Sequence, residues 1–177
     1  AKIVDTNDEW ITTRTGIKTR HHCTTETHTD MCVNAARQAL ENAGISPEDI
    51  GACVVATFSS DYLSPSAACM VQRGLGLPYD AVCFDLNAAC SGFLFAIHTM
   101  ECLLAQAPRK YGLVLGAEML SRFINWEDRG TCVLFGDGAG AVVVEWRGGC
   151  ASIHGVRGGH GRPTRQGGTT AGAVGTH

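Results

Sequence analysis

Four short runs set the fold: GACVVATFS (51–59), AVCFDL (81–86), YGLVLGAE (111–118) and AGAVVVEW (139–146). The first two are short and apolar, as a strand covered on both faces must be, and the other two are strand-like. Stretches of helical period lie between them. Met31, Val33, Ala36, Ala39, Leu40 and Ala43 recur at near-helical spacing behind a cap at Thr29 or Asp30, and Gly44 supplies the stop. Pro65 can open a second helix at its first position, ending near Gly74. Ala88–Gln106 is apolar almost all round, which predicts a helix buried inside the protein. Strands alternating with helices predict an α/β layered sheet. Thr131–Phe135 reads as one more strand, joined to Ala139–Trp146 by a hairpin through Gly136–Asp137–Gly138. The first 22 residues read as polar and irregular, with Trp10 and Ile11 as anchors.

The 177 residues suffice for a real core, and with 45% apolar and 18% charged residues the chain is globular. A net charge of −3 weighs against a general nucleic-acid binder. No stretch approaches the roughly 18 apolar residues of a membrane span, and none has a signal-peptide layout. Ten of the 22 glycines fall in 148–177, a segment without apolar periodicity that is expected to be a loose tail.

Nine cysteines without one C-x-x-C pair point away from zinc, and the adjacent His21, His22 and Cys23 make a poor chelate. No metal and no cofactor is expected. Most of the cysteines stand in apolar runs and behave as small hydrophobes, which fits a reducing, cytoplasmic compartment.

Cys90 differs from the others. In Asn87–Ala88–Ala89–Cys90–Ser91–Gly92–Phe93 it stands where a strand turns into a helix, among small neighbours. The positive end of the helix dipole favours a thiolate there, and free backbone N–H groups can receive an oxyanion. By position alone it serves equally as a nucleophile or as a packed cysteine at a tight helix start. In Asp8–Gly16, Trp10 and Arg14 stand four residues apart, fit either for stacking and phosphate pairing or for anchoring a surface loop. Asp128–Thr131 reads by itself as a solvated turn. Gly136–Gly140 has nucleotide-loop glycines but lacks the Lys-Ser/Thr of a P-loop, which favours the hairpin.

Taken in order, VDTNDEWITTRTGIKTR (4–20), SPSAACMVQ (64–72), FDLNAACSGF (84–93) and DRGTCVLFGDGAGAVVV (128–144) resemble β-ketoacyl-acyl-carrier-protein synthase III over roughly residues 1–147. The resemblance implies the N-terminal half of a thiolase-like layered fold, a mixed sheet with a buried helix carrying the nucleophile. It leaves 148–177 outside the family pattern. It implies acyl transfer from acyl-CoA to a cysteine, then decarboxylative condensation with malonyl-acyl-carrier protein, with CoA thioester as substrate and a homodimer as the assembly. By that resemblance Cys90 is the nucleophile, Trp10 and Arg129 sandwich the CoA adenine, Arg14 serves its phosphate end, Thr15 hydrogen-bonds beside it, and Phe135 lines the channel at the thiol. The segment between Ser59 and Ser66, with Tyr62, Leu63 and Ser64, reaches into the partner subunit. The family's second half supplies a His and an Asn for decarboxylation; His154, His160 and His177 lie beyond the matched part and His98 inside the apolar helix. The chain is therefore expected to be a fragment with uncovered apolar faces and unable to condense. Two other readings stand beside this one: a non-catalytic remnant that binds CoA or a partner chain, and a starter-unit synthase of polyketide biosynthesis.

Overall fold

A computed structural model of the protein describes residues 3–159. The helices are α1 (Asp8–Thr15), α2 (His28–Ala43), α3 (Ala67–Leu75) and α4 (Gly92–Leu104). The strands are β1 (Ile50–Ala56), β2 (Val82–Leu86), β3 (Tyr111–Met119), β4 (Asp137–Trp146) and β5 (Ala151–Gly159). The strands form one mixed sheet in the order β2-β1-β3-β4-β5. β1 runs parallel to β2 and β3, while β4 is antiparallel to both β3 and β5.

Helices cover both faces, so the central strands are apolar on both sides. In β1, Cys53 and Val55 join the core under α2 and α3, with Met31, Ala35, Ala39, Val71, Leu113 and Leu115. Ala52, Val54 and Ala56 face the other way, into a second core with Ala96, Met100 and Leu104 of α4 and Val114, Val142 and Val144 of the sheet. Strict side-chain alternation turns one continuous apolar run into two cores.

Several elements differ from the sequence reading. The opening segment contains α1, a helix with no buried residue and therefore no apolar stripe to betray it. Its caps form it: Asn7 Oδ1 accepts the Trp10 N–H at 2.8 Å, and Gly16 closes the end at φ 72°. α2 is capped by Thr27, two residues before the nearer predicted position, in a reciprocal box with Asp30. Pro65 stands one residue before the cap of α3, which is Ser66; Asp85 also accepts the N–H groups of Ala67 and Ala68 at 2.7 and 2.9 Å. β2 is an edge strand with Val82 exposed. α4 is buried on one side only: Gly92, Ala96, Met100 and Leu104 are covered, while Leu94 and Phe95 are 68% and 55% exposed and His98 is exposed beside Glu101.

Thr131–Phe135 is not a strand. Asp128 accepts from the Gly130 N–H and the Thr131 hydroxyl, and its carbonyl accepts from the N–H groups of Thr131 and Cys132, which winds the segment into turns. The hairpin partner of β4 is instead β3, with Met119 opposite Asp137. The segment expected to be loose contains β5, whose backbone pairs with β4. Glycine has a use there: a Cβ on Gly155, at φ +59°, would collide with the Ala39 carbonyl of α2. Residues 160–177, with His160 and His177, lie outside the described part.

Asp61 ties the loop after β1 to the start of α2. Its carboxylate accepts from the N–H groups of His28 and Thr29, the Thr29 hydroxyl and Arg122. Burial alone would raise its pKa, but the bonds from Thr29, Arg122 and His28 outweigh it and hold the group at about 2. A depressed carboxyl pKa gives stability that is present above the ordinary value near 4 and lost as pH falls through about 2. Urea unfolding between pH 5 and pH 2 is expected to show an acid loss on the order of 1 kcal/mol that Asp61→Asn removes. Identical acid profiles for the two proteins would contradict this assignment.

Candidate active site

The parallel strands β1, β2 and β3 end side by side, and their carboxyl ends carry the site, the usual place for one in an α/β sheet. After β2 the chain makes a tight turn at Ala89–Ser91 and enters α4 at Gly92. Cys90 sits in that turn, just ahead of the helix, and is exposed. The residue before it, Ala89, has φ 46°, the one positive φ of a non-glycine residue among those described. A side chain is held in that region only where its surroundings enforce it, and such positions cluster at working sites. No side chain caps the first turn of α4, so its N–H groups and dipole face the Cys90 turn.

Cys90 lies between two cavities. One, of about 570 Å³, is walled by Phe58, Leu120, Phe123, Ile124, Thr131 and Phe135 and is almost wholly apolar. The other, of about 400 Å³, is walled by Ala56, Phe93, Gly116, Asp137 and Gly138. Glu118 borders both. Its carboxylate accepts from the Thr57 hydroxyl at 3.3 Å, the Phe58 N–H at 3.2 Å and the Ser59 hydroxyl. Thr57 in turn touches the wholly buried His28, whose Nε2 lies 3.0 Å from the threonine oxygen and 3.2 Å from the Ala117 carbonyl.

Asp137 anchors the second cavity. It is buried and accepts from the Cys23 N–H, the Ser121 N–H and the Ser121 hydroxyl at 2.7–2.8 Å. Its own N–H donates to the His21 carbonyl. Gly136 lets the segment at His21 approach the start of β4: a Cβ there would lie 2.9 Å from that carbonyl oxygen. The more sheltered Cys23, Cys32, Cys53 and Cys83 differ from the exposed Cys90 in environment. Burial pushes Cys23 and Cys83 up to about 11 and raises Cys32 and Cys53 as well, which keeps them as thiols.

The sequence-derived residues fall into two groups. Cys90 and Phe135 share the larger cavity. Trp10, Arg14 and Arg129 form a stack, with the two guanidinium carbons 4.5 and 4.6 Å from the indole centroid. Arg129 also donates to the Asp5 carbonyl at 3.0 Å, and its near neighbour Thr131 lines the cavity of Cys90. With Arg129 this close to the indole, a planar base can enter between the two only if they separate. Thr15 is engaged elsewhere: its hydroxyl donates to the Ile11 carbonyl and accepts from the Ile17 N–H, closing α1. Phe58, Glu118 and Phe123 were not singled out in the sequence. The available signal was their place directly after β1 and at or just past the end of β3. Among the described residues, no group of three or more His, Cys, Asp or Glu could hold a metal ion.

The family model for 3-oxoacyl-[acyl-carrier-protein] synthase III matches residues 84–157. β-Ketoacyl-[acyl-carrier-protein] synthase III of Clostridium acetobutylicum is 52% identical over 144 residues, which is 81% of this chain and 44% of that protein. The Campylobacter fetus enzyme of the same name is 50% identical over 144 residues, with the same coverage. The chain thus spans less than half the length of these curated relatives. Among solved structures, the Aquifex aeolicus 3-oxoacyl-[acyl-carrier-protein] synthase III superposes with a TM-score of 0.78 at 50% identity, over 82% of this chain and 47% of that one. The priming β-ketosynthase of the R1128 polyketide pathway superposes with a TM-score of 0.76 at 37% identity, over 83% of this chain and 44% of that one.

Proposed function

The chain is related over four-fifths of its length to the 3-oxoacyl-[acyl-carrier-protein] synthases III and has their thiolase-like fold over that part, and from this premise we propose that Cys90 takes an acyl group from acyl-CoA. The observation that carries the reading is an exposed thiol on a strained turn, ahead of an uncapped helix and between two cavities. In this step the Cys90 sulfur bonds to the acyl carbonyl carbon and the acyl–sulfur bond to CoA breaks. The departing CoA sulfur takes up the proton that the Cys90 thiol gives up.

Trp10, Arg14 and Arg129 are the proposed CoA-binding cluster, with Arg129 moving off the indole to admit the adenine and Arg14 serving the phosphates. Thr15 supports them by closing α1, and Phe135 lines the path to the thiol. Residues 1–147 are the proposed condensing-enzyme part of the chain. The second half-reaction, decarboxylative condensation with malonyl-acyl-carrier protein at the start of fatty-acid synthesis, is proposed for a protein of the relatives' full length. Among the described residues, no histidine lines either cavity to assist that step. The exposed Tyr62 and Leu63 support a homodimer, and nine free cysteines support a reducing, cytoplasmic setting. The R1128 likeness supports a second reading, priming of polyketide synthesis, which changes the starter and not the chemistry at Cys90.

The test is incubation with acetyl-CoA followed by intact-mass measurement and peptide mapping. One acetyl adduct on the Cys90 peptide is expected. A folded protein that stays unmodified is, by contrast, a remnant that at most binds CoA.

A further inference from the structure

His28, the one wholly buried histidine among the described residues, opens α2 on the face of the sheet opposite α4. Its neighbours fix the direction of the hydrogens between it and the Cys90 site. Nε2 lies 3.2 Å from the Ala117 carbonyl, which only accepts, so this nitrogen carries a proton and shares it with Thr57 Oγ1 at 3.0 Å. Nδ1 is left facing the Cys32 thiol at 3.6 Å. The Thr57 oxygen accepts a second time, from the Ser59 N–H at 3.1 Å. With both lone pairs engaged, its own hydrogen goes to Glu118 Oε2 at 3.3 Å. Ser59 repeats the pattern: its oxygen accepts from the Met119 N–H at 2.8 Å, and its hydrogen goes to the same carboxylate oxygen. Glu118 therefore borders both cavities of Cys90 with its carboxylate turned to the end of β1. His28, Thr57 and Ser59 are all buried by the described residues themselves.

We propose that His28 is a positioning residue for the Cys90 site, acting through Thr57 to keep the Glu118 charge turned away from the thiol. This rests on the reading that Cys90 is the reacting group. Without the ring, the Ala117 carbonyl loses its side-chain donor and competes for the Thr57 hydrogen, and Glu118 loses one of its three donors. A carboxylate loosened in this way turns toward the cavities it borders, where its negative charge opposes formation of a thiolate. The other acidic groups around this chain are held elsewhere: Asp137 by Cys23 and Ser121, Asp61 by the His28 and Thr29 N–H groups and Arg122, and Asp85 by the start of α3. Burial keeps Cys32 a thiol. The effect of His28 on Cys90 is thus carried by Glu118.

The test is the pH profile of Cys90 alkylation by iodoacetamide in the full chain, read by peptide-resolved mass spectrometry. The exposed Cys102 and Cys150 serve as references in the same molecule. In His28→Leu and in Thr57→Val the profile of Cys90 is expected to move to higher pH, with a rate at pH 7 about threefold to tenfold below the parent's and the reference cysteines unaltered. His28→Gln keeps an N–H for Thr57 and Ala117 and should restore most of the rate. Adding Glu118→Gln should abolish the shift, so that His28→Leu/Glu118→Gln follows the profile of Glu118→Gln alone. A shift of the same size in that background is packing damage and overturns the proposal. An unshifted Thr57→Val profile overturns it too, and decides alone if His28→Leu does not fold. Acetyl-CoA run in parallel separates the two readings: if it leaves the protein unmodified while the shifts hold, acyl transfer fails and the positioning role stands, and acylation with unshifted profiles is the reverse.

Discussion

Cys90→Ser is expected to cut acyl transfer from acetyl-CoA at least a thousandfold, to the point where intact-mass measurement finds no adduct. The geometry would barely change, since the residue is exposed and serine is slightly smaller. The chemistry would change because a thiol is a few per cent thiolate near neutral pH and intrinsically nucleophilic, whereas a serine hydroxyl needs a neighbouring base. Among the described residues no histidine lines either cavity, and the Glu118 carboxylate is already committed to three donors. Serine would sit on the same turn with nothing to take its proton. An adduct forming at the parent rate in this variant would move the nucleophile elsewhere, as would an adduct in the parent protein that maps to Cys102 or Cys150.

The second large effect is one of stability. Asp137→Ala is expected to lower the free energy of unfolding by about 3–5 kcal/mol, read as a drop in the urea midpoint at unchanged slope. Asp137 joins three segments distant in sequence: the stretch before α2 through Cys23, the turn after β3 through Ser121, and the start of β4 on which it stands. All three bonds go to a carboxylate, and such bonds contribute about 1.5–3 kcal/mol each. Truncation leaves two N–H groups and a hydroxyl without their acceptor in a poorly hydrated place, so the loss is large although the three contributions are not additive. The amide of Asp137→Asn would retain one acceptor oxygen but turn an N–H toward a donor, so that variant should fall between parent and alanine. A loss below about 1 kcal/mol for alanine would show that water or rearranged neighbours satisfy the freed groups. Because Asp137 also walls the smaller cavity, the alanine variant should show slower modification of Cys90 under conditions where it remains folded.

The central strands were legible because their physics is local. A run such as Cys53–Val54–Val55 has no polar face, and a sheet interior covered on both sides is where it can rest. The stop of α2 at Gly44 was legible for the same kind of reason, since a residue at φ 67° closes the helix without strain. Other elements had no local signal of that kind. α1 is made by its caps and buries nothing, so periodicity could not reveal it. β5 is poor in strand formers, and it is the free edge of β4 that orders it. α4 is apolar almost all round, and only His98 and Glu101 mark the side turned away from the sheet, too little for composition to outweigh Leu94 and Phe95 beside them.

Cys90 was legible as chemistry because a strand-to-helix junction is a local feature with a definite electrostatic consequence. That Trp10, Arg14 and Arg129 belong together came from resemblance, and the stack joins residues more than a hundred positions apart. Phe58, Glu118 and Phe123 were marked only by their place at strand ends, which does not say that they meet. The register of β1 on β3 sets Ala56 opposite Gly116, which puts Thr57 and Phe58 beside Ala117 and Glu118 at the end of the sheet. By itself, then, the sequence determined the apolar central strands and marked Cys90 as the cysteine at a strand-to-helix junction, since both follow from short-range chemistry. The wall around that thiol was decided only in the tertiary structure, because strand register is a property of pairs of segments and is written in neither one alone.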